Sequence, residues 1–202
     1  MIKLMATTLI IATLIAIGCN NSNPIGNQFN PDIDYDSSTD SRDGQSYRTV
    51  KIGNLVWMAE NLNFKTDSSW CYRNDNGECL RYGRLYIFED ALDACPSGWR
   101  LPTNSDWDNL SQAVGGYEIA GKNLKSQAKW NFGGIGKNEL GFSALPGGYR
   151  SPDGFFYDSG NYGYWWSSDA DSRGMGWDRN YVWKGEANDY GGYGFSVRCL
   201  LD

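Results

Sequence analysis

The chain has 202 residues, with 18 Lys and Arg against 24 Asp and Glu for a formal charge of −6, and 15% of it is aromatic. It contains no histidine, which excludes histidine-dependent catalytic triads, histidine-ligated zinc and most proton shuttles that work near neutral pH. The acidic balance, without basic runs or a basic helix face, excludes nucleic acid and anionic surfaces as general partners.

Residues 1–18 place one lysine before an apolar run from Leu4 to Ile17. A run so short and so early reads as a secretory signal peptide rather than a spanning helix. Ala16-Ile17-Gly18-Cys19 resembles a bacterial lipobox, with Ala16 where Leu is usual. Cys19 is therefore the expected lipidation site and new N-terminus; the alternative is an ordinary signal followed by a chance cysteine. Each acyl CH2 buried stabilises by roughly 0.8 kcal/mol, so a multiply acylated Cys19 would hold the protein on a membrane. The expected location is the cell envelope, lipid-anchored at the outer membrane or cell surface. Residues 19–46, rich in Asn, Asp and Ser with few aliphatics, are expected to form a flexible tether.

From residue 47 to residue 202 aromatics and glycines become frequent, and the length suits one domain with a real core. Tyr47–Ile52 alternates apolar with polar, Gly53-Asn54 is a hairpin dipeptide, and Leu55–Met58 supplies a second strand. Cys71 and Cys79 flank Asn74-Asp75-Asn76-Gly77, a turn that makes a short-range disulfide easy. Its oxygen side chains resemble the start of a calcium loop but lack the EF-hand spacing. The four cysteines after Cys19, in an oxidising compartment, predict two disulfides with three connectivities open.

Leu85, Phe88, Ala91, Leu92 and Cys95 recur at three and four residues, predicting an amphipathic helix over 82–94 that Pro96 and Gly98 stop. Thr103 and Asp106 form a capping-box start for a second helix with Trp107, Leu110 and Val114 on one face, ended by Gly115-Gly116. A weaker helical segment spans 120–128, anchored by Leu124. From Leu140 onward, short runs rich in Tyr, Trp and Phe alternate with Gly, Asp, Asn and Ser, as antiparallel strands joined by irregular loops do. With Cys71 and Cys79 paired, Cys95 is left for Cys199 on the last strand, 195–199. That bridge is worth up to roughly 4.7 kcal/mol in the chain-entropy model. Strands, then helices, then a glycine-rich sheet predict an α+β domain.

The series WMAENLN, CYRNDNGEC, YGRLYIFEDALDACPSGWRLPT, LGFSALPGGYR, YWWSS and GFSVRC resembles the Fibrobacter succinogenes major paralogous domain. This is a family of extracytoplasmic bacterial proteins often preceded by a lipoprotein signal. The likeness runs from about residue 49 to the C-terminus. The family looks like a divergent branch of the C-type-lectin-like superfold, which implies two helices, a small antiparallel sheet whose terminal strands meet, and long irregular loops. Molecular function in the family is largely unassigned, so the resemblance speaks to fold.

Between YWWSS and GFSVRC lies a stretch, 169–193, dense in aromatics, acids and amides. The ligand-binding residues expected there are Asp169, Asp171, Arg173, Trp177, Asp178, Arg179, Trp183, Glu186, Asn188 and Tyr190. Flat rings suit sugar faces while amides and carboxylates bond hydroxyls, and the same residue types suit protein surfaces. Strand alternation sends about half of such aromatics into the core. The acid-amide-proline motif of calcium-dependent lectins is missing, and Trp177-Asp178-Arg179-Asn180 is only a distant echo of their Trp-Asn-Asp strand. No metal site is assigned, and calcium held by Asp169, Asp171, Glu186 or Asp189 is the one cofactor in view. No catalysis is expected: the formylglycine-generating relatives use an active-site cysteine pair, whereas here the cysteines go to disulfides. Glu60 with Asp153 or Asp158 is a carboxylate pair that nothing places face to face. The expected function is binding, of polysaccharide or of an envelope protein, with a non-catalytic structural or assembly role as the alternative. The chemically dense stretch CPSGWRLPTNSDWDNL is read as scaffold, with only Arg100 left without a job.

Overall fold

The computed structural model describes residues 28–185 and 191–202. Its first sheet grows from the expected hairpin. β1 (Asp36–Thr39) pairs with β2 (Ser46–Ile52), which turns through Gly53-Asn54 into β3 (Leu55–Met58), with Val50 opposite Trp57. Residues 28–46 therefore belong to the folded unit, which corrects the tether expected across them. Gln28 and Asp40 are each 1% exposed, and Asn30 donates from Nδ2 to the Asn138 carbonyl at 3.0 Å. Average composition hid the cause: Phe29, Ile33 and Tyr35 are the few apolar side chains of the segment, and all three pack against the core.

The expected helix over 82–94 is broken. After β4 (Ser69–Trp70) come α1 (Asn76–Tyr82), β5 (Leu85–Tyr86) and α2 (Phe88–Asp93). Leu85 and Tyr86 pair with β4 on one side and with Phe195-Ser196 on the other, so tertiary strand pairing overrides a helical spacing. α1 starts inside the predicted turn because the Asp75 carboxylate accepts the Gly77 amide at 2.8 Å. β6 (Trp99–Arg100) leads into α3 (Asn104–Ala113), whose Thr103–Asp106 capping box is present, with Trp107 and Leu110 buried. Arg100 pairs with the Asp106 carboxylate at 2.6 Å and with Asp202 at 3.4 Å, so it fastens that cap to the chain end. α4 (Tyr117–Leu124) follows. The described residues thus hold four α-helices rather than two, and none is long and apolar enough to cross a membrane.

The rest is β7 (Tyr149–Arg150), β8 (Phe156–Tyr157), β9 (Tyr162–Trp166), β10 (Ser172–Gly176), β11 (Trp183–Gly185), β12 (Phe195–Ser196) and β13 (Leu200–Leu201). One sheet runs β1-β2-β3-β13-β6, another β11-β10-β9-β12-β5-β4, and β7-β8 stand apart. Between these strands pairing is antiparallel apart from β12 beside β9, and with the four helices the described residues form a mixed α+β fold. The single last strand expected over 195–199 is divided between the two large sheets, with Val197-Arg198-Cys199 crossing between them. Both disulfides, Cys71–Cys79 and Cys95–Cys199, are formed.

Two apolar clusters fill the interior. One interlocks Trp57, Trp107, Phe142 and Trp165 at ring separations of 5.3–6.2 Å; the other gathers Tyr47, Tyr86, Trp166, Phe195 and Cys199. A buried polar hub accompanies them. Arg198 is 0% exposed and donates to Asn61 Oδ1 from Nε at 3.1 Å and Nη2 at 2.7 Å, and from Nη1 to the carbonyls of Met58 at 3.2 Å and Phe142 at 2.6 Å. Trp165 Nε1 donates to the same Oδ1 at 2.8 Å. Burial pushes the Arg198 guanidinium down to about 9, against the pull of Glu60, so it stays charged at neutral pH.

Candidate functional site

The sequence of β9, Tyr-Gly-Tyr-Trp-Trp, sends Tyr162 and Tyr164 to one face and buries Gly163 and Trp165 on the other. The neighbouring strand β10 has Gly174 opposite Tyr164 and Gly176 opposite Tyr162. Glycine is required at both: a Cβ on Gly174 would collide with the Trp183 indole, and one on Gly176 with the Tyr162 ring. Trp183, on β11, therefore lies down across β10. Its ring is 6.0 Å from Tyr162 and 5.9 Å from Tyr164.

The surface continues through Tyr149, 5.4 Å from both Tyr164 and Tyr157. Tyr149, Tyr162, Tyr164 and Trp183 are half-buried and Tyr157 is exposed, so the rings form a platform open to solvent. Polar groups stand at its edges. The Tyr164 hydroxyl donates to Asp158 Oδ2 at 3.0 Å, and burial followed by the Asp158 charge pushes that phenol well above its usual range. The Arg179 guanidinium sits 5.1 Å from the Trp183 ring centre. Flat rings flanked by a carboxylate and a guanidinium can stack on apolar faces and bond hydroxyls at once.

Of the residues expected to bind ligand, Arg179 and Trp183 lie on this platform. Asp178 is exposed and within 3.8 Å of Arg179. Trp177 is half-buried, packs on the core and meets the Phe132 ring at 4.9 Å. Asp169, Asp171 and Arg173 are committed elsewhere. Asp169 accepts the Asn104 backbone amide and Asp171 the Asn104 side-chain amide; Asp171 also pairs with Lys184 at 2.8 Å. Arg173 is 2% exposed and reaches Asp108 at 3.1 Å. The three fasten β10 and its preceding turn to the start of α3, and do not join the platform. Glu186, Asn188 and Tyr190 lie outside the described residues, as does Asp189.

Among the described residues no group of three or more His, Cys, Asp or Glu side chains converges as a metal site would. Glu60, considered as a catalytic acid, accepts the Arg48 backbone amide at 2.6 Å, and Asp153 accepts the Ser151 hydroxyl. Sequence reasoning missed Tyr149, Tyr157, Tyr162 and Tyr164. The signal was available for two of them, since Tyr-Gly-Tyr at period two separates a ring-bearing face from a bare one.

With that geometry in hand, the sequence profile of the Fibrobacter succinogenes major domain matches residues 50–200 of the chain. No curated protein and no solved structure matches it.

Proposed function

The chain belongs to the Fibrobacter succinogenes major domain family, and on that footing we propose that it is a lipid-anchored, non-catalytic, extracytoplasmic protein that binds polysaccharide at the cell surface. The observation that carries the reading is the aromatic platform: five rings, from Tyr157 through Tyr149, Tyr164 and Trp183 to Tyr162, each 5.4–6.0 Å from the next. Successive pyranose rings present apolar faces with hydroxyl edges, and a stacking surface with Asp158 and Arg179 at its margin matches both. Anchoring would come from Cys19, and the outer membrane or cell surface is the proposed location. We also read the α+β fold as a divergent C-type-lectin-like domain, because β13 at the chain end inserts beside β3 and a disulfide ties it to the end of α2. That reading lends shape and not chemistry.

The test is retention of the full chain, in detergent, on insoluble cellulose, xylan and mannan, with and without calcium. Trp183→Ala should weaken retention about tenfold, the scale of one lost aromatic anchor. Absence of retention of the unmodified protein on all three would sink the polysaccharide reading. Cys19→Ser should shift the protein from the membrane fraction to the soluble one; an unchanged distribution would remove the lipid anchor.

A second observation favours a structural or assembly role with a protein partner. Phe132, in contact with Trp177, is 77% exposed, and Ile135 is 53% exposed. Phe132→Asp would then disrupt co-purification with other envelope proteins and leave polysaccharide retention intact.

A further inference from the structure

Arg84 stands between α1 and β5 and is half-buried. Its Nε donates to Ser69 Oγ at 2.9 Å and its Nη2 to the Ser69 carbonyl at 2.7 Å. The acceptors of Nη1 are the two sulfurs of a disulfide, Cys71 Sγ at 3.5 Å and Cys79 Sγ at 3.6 Å. Among the described residues no carboxylate pairs with this guanidinium, and burial pushes it below its ordinary value. A charge drawn out of water among neutral partners is incompletely compensated. A disulfide sulfur is a weak acceptor, whereas a thiolate at the same place carries a full negative charge. Reduction would therefore supply the anion that Arg84 lacks.

The two bridges differ in this respect. Cys79 lines a cleft of about 350 Å3 together with Gln45, Asn63 and Leu80, whereas Cys199 is fully buried inside the second apolar cluster. Thiolates are favoured beside cations and disfavoured in apolar surroundings. The short bridge also spans only 8 residues against 104, so the fold holds it less strongly. The other charges beside it are already engaged. Asp75 accepts the Gly77 amide, Glu78 pairs with Arg81 at 3.3 Å, and Arg73 lies over the Tyr72 ring at 5.6 Å. Across the cleft Glu60 accepts the Arg48 amide. Burial pushes the phenols of Tyr47, Tyr82 and Tyr86 up, away from the range of a thiol.

We propose that Cys71–Cys79 is a thiol-exchange site, opened by dithiols ahead of Cys95–Cys199, with Arg84 as the positioning residue that stabilises the thiolates released. The proposal is independent of the polysaccharide reading. An incoming thiolate attacks Cys79 Sγ; a new sulfur–sulfur bond forms, the Cys71–Cys79 bond breaks, and its electron pair leaves on Cys71 Sγ beside Arg84. The second thiol of the dithiol loses its proton to solvent, attacks the mixed disulfide and displaces the Cys79 thiolate. Two electrons have then passed from the dithiol, which departs as a disulfide, to the cysteine pair. A thiolate of lower basicity leaves faster and is favoured at equilibrium, and both sulfurs lie within 3.6 Å of the same Nη1.

The experiment equilibrates the full chain in detergent with mixtures of reduced and oxidised dithiothreitol at about pH 6 and about pH 8.5, below and within the ordinary thiol range. Free thiols are trapped by alkylation and each cysteine is read by peptide mass spectrometry, so that Cys19 is scored apart. Cys71 and Cys79 should open while Cys95–Cys199 stays closed. Arg84→Gln, which keeps a donor for Ser69 and removes the charge, should lower the equilibrium constant for reduction about tenfold at about pH 8.5, a shift of about 30 mV. At about pH 6 the thiols are protonated in either protein, and the two constants should agree within about twofold. The ionisation of the reductant, and of Lys125 at about 8, is common to both proteins and cancels in the ratio. A merely structural role for Arg84 would shift the constant alike at both pH values. The unmodified protein decides the matter even where the variant does not fold: once reduced, one of its two thiols should be alkylated with a midpoint at about pH 7, below the ordinary value of about 8.5. The site is overturned if Cys95–Cys199 opens first, if Arg84→Gln leaves the constant unchanged at about pH 8.5 or changes it equally at about pH 6, or if both thiols titrate at about 8.5 or above.

Discussion

Replacing Asn61 with Ala should destabilise the domain more than replacing Arg198 with Met, and the two losses should not add. Asn61 Oδ1 accepts from Trp165 Nε1 at 2.8 Å and from Arg198 Nε and Nη2 at 3.1 and 2.7 Å, while its Nδ2 donates to the Tyr82 carbonyl at 2.7 Å. Truncation strands an indole N–H, a carbonyl and two N–H groups of a fully buried guanidinium. A stranded neutral group costs about 1–3 kcal/mol and a buried charge that loses its partner about 3–5, so a loss of about 5 kcal/mol or more is expected. That is a large part of the roughly 5–15 kcal/mol available to a domain. Arg198→Met instead removes the charge together with its desolvation. The carbonyls of Met58 and Phe142 lose donors and Asn61 Oδ1 keeps that of Trp165 alone, for about 1–3 kcal/mol. With Arg198→Met already in place, Asn61→Ala strands only neutral groups, and its cost should fall by about 2 kcal/mol. Urea unfolding of the four proteins, followed by tryptophan fluorescence and circular dichroism, gives the cycle. Additivity within about 0.5 kcal/mol, or a greater loss from Arg198→Met, would refute the hub.

The disulfides should differ in worth by their spans. Removing Cys95–Cys199, separated by 104 residues, should cost about 4.7 kcal/mol, and removing Cys71–Cys79, separated by 8, about 2.5, with paired Ala variants compared in urea; equal losses would contradict the chain-entropy account. Lys125 is 2% exposed, donates to the carbonyls of Gly176 at 2.8 Å and Arg179 at 2.9 Å, and is pushed by burial to about 8, with Asp178 opposing. The unfolded chain then binds the extra proton above that value, so Lys125 makes stability rise with pH from about 8 toward its ordinary 10.5. Lys125→Met should flatten the rise measured up to about pH 9.5, below the ionisation of ordinary tyrosines; an unchanged slope would dissociate it from Lys125. Gly174→Ala should displace the Trp183 indole and weaken polysaccharide retention about as much as Trp183→Ala, with full retention counting against the platform geometry.

What could be read in the sequence was whatever local chemistry decides. The hairpin at Gly53-Asn54, the Thr103–Asp106 box and both disulfides follow from a few adjacent residues or from pairing arithmetic, and the structure contains each. Tertiary partners decided the rest. Leu85 and Tyr86 sit at helical spacing yet pair on both edges as a strand. Residues 28–46 look too polar to fold, but three well-placed apolar side chains dock them. At the site, Arg179 and Trp183 could be anticipated because both follow the framework motif in an aromatic stretch. Asp171 and Arg173 could not be excluded from sequence, because their partners, Asn104 and Asp108, lie about sixty-five residues upstream. Tyr164 opens the framework motif YWWSS and Tyr162 lies just before it; neither could be assigned to a site, because which face of β9 is open depends on what β10 leaves bare.

The motifs that carry the family resemblance meet at one place. WMAENLN supplies the Met58 carbonyl and Asn61, LGFSALPGGYR the Phe142 carbonyl, YWWSS Trp165, and GFSVRC Arg198. All four converge on a guanidinium that solvent does not reach. A buried charge tolerates only the arrangement that satisfies it, so these motifs specify how the two sheets lock together. The hub side chains themselves are buried, whereas Tyr149 and Tyr164, from two of the same motifs, stand on the platform. The rings of the platform lie outside the hub and answer to a different constraint. Fold and proposed binding chemistry thus fall to separate residues, and the variants can be chosen accordingly: Asn61 and Arg198 report stability, while Trp183 reports affinity. A loss of binding in Trp183→Ala without a loss of stability is the outcome that this separation requires.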